Sequence, residues 1–75
     1  MKTQIFNNAI KNRNRLRFLY GINEILIDPY YVMIEKNGSK VIFGKVFQTS
    51  EIKKFEYSKI SFLFCNNIHF KSTNV

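Results

Sequence analysis

One cysteine is all the chain carries: Cys65, in the apolar run SFLFC, so an internal disulfide is excluded. The thiol reads as a small buried hydrophobe, and a reduced, cytoplasmic setting is expected. Histidine is equally scarce. His69 has no second His or Cys at ligand spacing, which leaves no metal motif. The three glycines are scattered, so no glycine-rich loop exists to cradle a phosphate. The five acids, Glu24, Asp28, Glu35, Glu51 and Glu56, form no pair suited to acid/base work, and Asp28 before Pro29 reads as a turn-former. An enzyme is therefore not expected, nor is a cofactor. No apolar run approaches the roughly 18–20 residues of a spanning helix. The start, MKTQIFNNAIKN, is broken by Gln4, Asn7 and Asn8 and lacks the apolar core of a signal peptide, so no membrane association is expected.

What is plentiful is aromatic and cationic. Eight Phe and four Tyr in 75 residues, with 45% hydrophobic residues, suffice for a compact core. The length makes one small domain, 1–75, near the lower limit for folding without staples, and self-association would help it. Twelve Lys and Arg against five acids give +7, a field that favours anionic partners. The excess is concentrated early: Lys2, Lys11, Arg13, Arg15 and Arg17 all precede Glu24.

Ile5, Phe6, Ala9 and Ile10 recur at helical spacing, predicting a short helix over about 3–11 with Thr3 as its cap and one apolar stripe for a sheet to cover. From Arg15 the period becomes 2, with Leu16, Phe18 and Tyr20 on one face and Arg15 and Arg17 on the other. Strands are expected over about 15–20, 24–28, 30–36, 41–47 and 51–64, followed by a polar tail, 71–75. Gly21 to Asn23 makes the first turn, Pro29 ends the second strand, and Asn37-Gly38 is a hairpin signal whose Ser39 completes a sequon only by coincidence. Gly44 mid-strand predicts a bulge or sharp bend. One helix and five short strands argue a mainly β, small α+β fold, a five-stranded antiparallel barrel with the helix packed on it.

The ordered set AI, a basic stretch, RLRFLY, DPYYV, a Gly hairpin, VIFGKV and KKFEYSKI, spanning roughly 5–62, resembles the WYL domain of bacterial regulators. That family shows a basic, apolar, basic, Phe, x, Tyr strand, then Pro with aromatics, a Trp-Tyr-Leu strand and Phe-Arg-Leu-Asp-Arg-Ile. Here the naming triplet aligns with Val41-Ile42-Phe43, and the last motif becomes Phe55-Glu56-Tyr57-Ser58-Lys59-Ile60. The resemblance implies an Sm-like, Src-homology-3-type barrel that serves transcription regulation or a defence system. It also implies that single-stranded nucleic acid or a nucleotide-like ligand is held on a basic, aromatic face. Lys59 would stand for a family arginine, keeping the charge without the bidentate fork, while Glu56 would repel phosphate unless a cation pairs with it.

The candidate ligand-contacting residues are Lys11, Arg13, Arg15 and Arg17 for phosphates, Tyr20, Tyr30 and Tyr31 for stacking, and Lys59. Tyr30 and Tyr31 alternate in direction, so one is expected in the core and one outside. Two readings of the cations stay open: an anion-contacting surface, or a solvated face guarding an edge strand. Lys53, Lys54 and Lys59, interleaved with Glu51 and Glu56, read as a self-neutralising face. The first expectation is a stand-alone regulatory module binding single-stranded nucleic acid or a nucleotide-like ligand. The alternative is an interaction or oligomerisation module, paired with itself as a homodimer or with a separate regulator protein, and a small-molecule sensor is the third reading.

Overall fold

Short turns between period-2 segments force neighbouring strands to pair antiparallel, and that is how the chain folds. The computed structural model describes residues 2–69. Its elements are α1 (Lys2–Asn12), β1 (Asn14–Tyr20), β2 (Asn23–Ile34), β3 (Lys40–Val46), β4 (Ile52–Glu56), a 3-10 turn η1 (Tyr57–Lys59) and β5 (Ile60–His69). They form one helix and a five-stranded sheet of order β4-β3-β2-β1-β5, in which each paired strand runs antiparallel to its neighbour. Among the described residues the sheet is not closed by its ladders, and β4 and β5 are its two edges. The tail 71–75 and the side chains of Cys65 and His69 lie outside the described residues.

Although open, the sheet curls strongly. The Phe55 ring of β4 meets Phe18 and Tyr20 of β1 edge-on, at 5.3 and 5.0 Å between centroids, although no ladder joins the two strands. The concave face therefore holds the core: Leu16 and Phe18 from β1, Ile27 from β2, Ile42 and Val46 from β3, with Phe55 and Ile60. Phe6 and Ala9 of α1 complete it, both fully buried, while Ile5 lies at the helix margin. The helix is too short to persist alone, so packing over the mouth of the curled sheet is what holds it. Thr3 is not its cap. It lies inside a helix that begins at Lys2, and its side chain is hydrogen-bonded to Tyr57.

Two predicted strand limits are corrected. Pro29 does not end a strand: β2 runs through it, merging the segments expected at 24–28 and 30–36. The β1 ladder stops at Leu16–Ile27, and the β3 ladder shifts register just after the Pro29–Gly44 pair, so the missing N–H falls where pairing is already interrupted. The extra residue of that irregularity is Tyr30, which moves the inward positions from Ile27 and Pro29 to Val32. In consequence neither Tyr30 nor Tyr31 enters the core, at 37% and 51% exposed. The second correction concerns 51–64, which is two strands separated by η1.

Gly44 sits opposite this irregularity rather than forming it. A Cβ there would lie 2.8 Å from Ile27 Cδ1 and 2.9 Å from the Asp28 carbonyl oxygen, so the close approach of β2 and β3 requires glycine. The 35–39 loop is the expected hairpin. Gly38 takes φ 88°, its N–H donates to the Glu35 carbonyl, and the Asn37 side chain accepts from the Ser39 N–H.

Candidate nucleic-acid interface

Alternation along the strands sends one set of side chains into the core and the other to the convex face. On β1 this exposes Arg17 and half-buries Arg15, on the face opposite Leu16 and Phe18. Arg15 is held from two sides. Its Nε donates to Asp28 Oδ1 at 2.7 Å, and its guanidinium lies 4.5 Å from the centre of the Phe47 ring. Phe47 is itself 56% exposed, so Arg15 and Phe47 form an oriented cation–aromatic platform at the surface. Arg17 donates through Nη1 to Glu24 Oε2 at 3.1 Å.

A second platform lies farther along β2 and β3. Tyr31 and Phe43 face each other across the ladder and stack at 4.8 Å with their planes 24° apart. Lys54 is directly across β4 from Phe43, and its ammonium donates to Glu35 Oε2 at 2.5 Å. That contact raises the Lys54 pKa above the usual lysine value. Lys45, opposite Asp28 on one side and Ile52 on the other, lies between the two platforms. The convex face thus interleaves aromatic rings with cations.

The predicted residues do not all gather there. Lys11 is exposed in the last turn of α1, complementing the helix dipole. Arg13 ends the helix in a left-handed conformation, φ 55°, with its N–H directed to the Ile10 carbonyl, so it precedes β1 instead of sharing its face. Tyr20 serves the core. Its ring packs against Phe18 and Phe55, and its hydroxyl accepts the Glu56 N–H at 3.1 Å. Lys59 is exposed on η1, 4.0 Å from Glu56, which provides the cation that Glu56 needs. It stands near the N-terminal end of α1, whose Phe6 packs on Tyr57, whereas Lys11 is about 14 Å of helix away at roughly 1.5 Å per residue. The expected self-neutralising face is partly present: Lys53 pairs with Glu51 and Lys59 with Glu56, but Lys54 reaches to the hairpin.

Each of the five acids lies within 4.0 Å of a cation: Asp28 with Arg15, Glu24 with Arg17, Glu51 with Lys53, Glu35 with Lys54 and Glu56 with Lys59. The surplus positive charge is consequently carried elsewhere, and part of it collects where sequence reasoning did not look. A cleft of about 370 Å³ between the α1 start, the hairpin and η1 is lined by Lys2, Gly38, Ser39, Lys40, Tyr57 and Ser58. An adjoining cleft of about 390 Å³ adds Thr3, Val32, Met33 and Ile34 and shares Lys40 and Tyr57. Burial pushes the Tyr57 phenol above its ordinary pKa, partly opposed by the hydrogen bond with Thr3. Phe43, Phe47, Lys45, Lys2 and Lys40 were the residues missed. The alternation of VIFGKVF was the signal that could have placed Phe43, Lys45 and Phe47 on one face.

The chain matches no protein-family model, and none of the curated proteins is significantly similar to it.

Proposed function

We propose that this chain is a WYL-like regulatory module of the cytoplasm whose convex sheet face binds single-stranded nucleic acid or a nucleotide-like ligand. The observation that carries this reading is the convex face itself, where the Tyr31–Phe43 stack and the Arg15–Phe47 platform present aromatic surface with Lys45 between them. Bases stack on such rings whatever their identity, and cations beside the rings meet the backbone. The curled sheet, its strand order and the 3-10 turn between β4 and β5 support the Sm-like barrel reading.

The ion pairs refine the mechanism. Arg15 and Arg17 are already engaged by Asp28 and Glu24, so Arg15 chiefly orients the Phe47 ring, Arg17 shapes the face, and stacking carries more of the affinity than phosphate contact. Tyr31 keeps the stacking role expected of it, and Phe47 takes the one expected of Tyr20. Anisotropy of labelled single strands and duplexes at two salt concentrations tests this. Single strands should bind more tightly, with a log–log salt slope of only about −2, as for roughly three phosphate contacts. Equal binding of duplex and single strand would defeat the proposal.

A second reading, an interaction module, draws on the open edges β4 and β5 and on Met33, Ile34 and Ile52, each about half or more exposed. Edge strands can add to another chain's sheet. Light scattering that shows a monomer at all concentrations would count against self-pairing.

A further inference from the structure

From the twin clefts at the helix start we infer a second site, separate from the convex face, that takes a small phosphate monoester carrying a flat, largely apolar body. The two clefts differ in chemistry and are contiguous, because Lys40 and Tyr57 line both. One side offers two ammonium groups, from Lys2 and Lys40, and three hydroxyls, from Ser39, Ser58 and Tyr57, with no carboxylate among its lining residues. The other offers Val32, Met33 and Ile34. A ligand that satisfies both must be anionic at one end and apolar at the other.

The polar half is preorganised. Lys2 donates one of its three ammonium N–H bonds to the Tyr57 carbonyl at 2.7 Å, which fixes the ammonium at the cleft and leaves two donors. The loop that supplies Ser39 is held by the Asn37 side chain and by the Glu35–Ser39 and Gly38–Glu35 hydrogen bonds. Lys36 stands in the same loop and adds charge. Glu35, the one acid of this loop, is bonded to Lys54 and does not line the cleft. The N-terminal end of the 11-residue α1, with Lys2 and Thr3 at the clefts, adds the positive end of its dipole. A dianionic phosphate matches two lysines, hydroxyl donors and that dipole.

Mononucleotides and the phosphorylated end of a single strand share this chemistry. Amide chemical shifts of the full chain should be followed while adenosine 5′-monophosphate, adenosine, inorganic phosphate, decanoate and 5′-phosphorylated or 5′-hydroxyl oligonucleotides are added separately. Adenosine 5′-monophosphate should move Ser39, Lys40, Ser58 and Met33, with adenosine and phosphate each at least tenfold weaker. Lys40→Gln, an exposed change whose fold is checked by circular dichroism, should weaken it at least tenfold. A 5′-phosphorylated strand that outcompetes its hydroxyl counterpart would assign the strand end as ligand, and equal competition would assign the mononucleotide. Absence of shifts at these residues at millimolar concentration, or tighter binding by decanoate, would overturn the inference. Shifts confined to Tyr31, Phe43 and Phe47 would overturn it while upholding the convex-face proposal, and cleft shifts without convex-face binding would do the reverse.

Discussion

At the scale of single residues, Gly44 is the position where geometry leaves least latitude. A methyl group would press on the Asp28 carbonyl oxygen, which is backbone and cannot rotate away. Gly44→Ala should therefore cost about 1–3 kcal/mol, lowering the melting temperature by roughly 5–20 °C in a thermal unfolding scan. The alternating pattern flagged Gly44 as irregular but not why, because the irregularity belongs to Tyr30 on the partner strand. Tyr57 illustrates an effect no pattern reveals. Its phenol titrates above the ordinary value of 10.0, so on raising the pH the unfolded chain loses this proton first. Stability should thus decline from about that pH upward, through the higher folded value, and Tyr57→Phe should remove that component from an alkaline unfolding series.

The elements were legible where a period or a turn signal was strong. The helix stripe, the alternation of β1 and the Asn37-Gly38 loop all appear as their residues suggest. The failure at Pro29 has a physical cause. A proline ends a strand only where the ladder needs its N–H, and whether it does depends on where the neighbouring strands stop, which is a tertiary fact. The same dependence made Tyr20 look available for stacking until Phe55 was brought across the core to meet it. Phe6 is the larger of the two buried side chains, with Ala9, that join α1 to this core, being fully buried and edge-on to Tyr57 at 4.7 Å. Its truncation to Ala should cost about 3–5 kcal/mol. Because so small a domain has little stability to spare, circular dichroism should show loss of much of the folded signal.

For the whole molecule, charge is the property that sequence described in amount but not in place. The +7 was evident, and the cluster from Lys11 to Arg17 looked like its centre. In the folded chain that cluster is divided: Lys11 and Arg13 end a helix, while Arg15 and Arg17 meet acids from β2. Sequence separations of 13 and 7 residues close into these ion pairs only after the β1–β2 hairpin forms. The convex face is accordingly less cationic and more aromatic than the linear pattern implied, so the proposed ligand would be held mainly by stacking. The most direct test titrates a labelled single strand with the protein and with the double variant Tyr31→Ala, Phe47→Ala, read by fluorescence anisotropy after confirming that both are folded. Saturable binding that weakens tenfold or more in the variant is the result expected from losing two stacking rings. Equal affinity of the two proteins, or no binding at low salt, would contradict it.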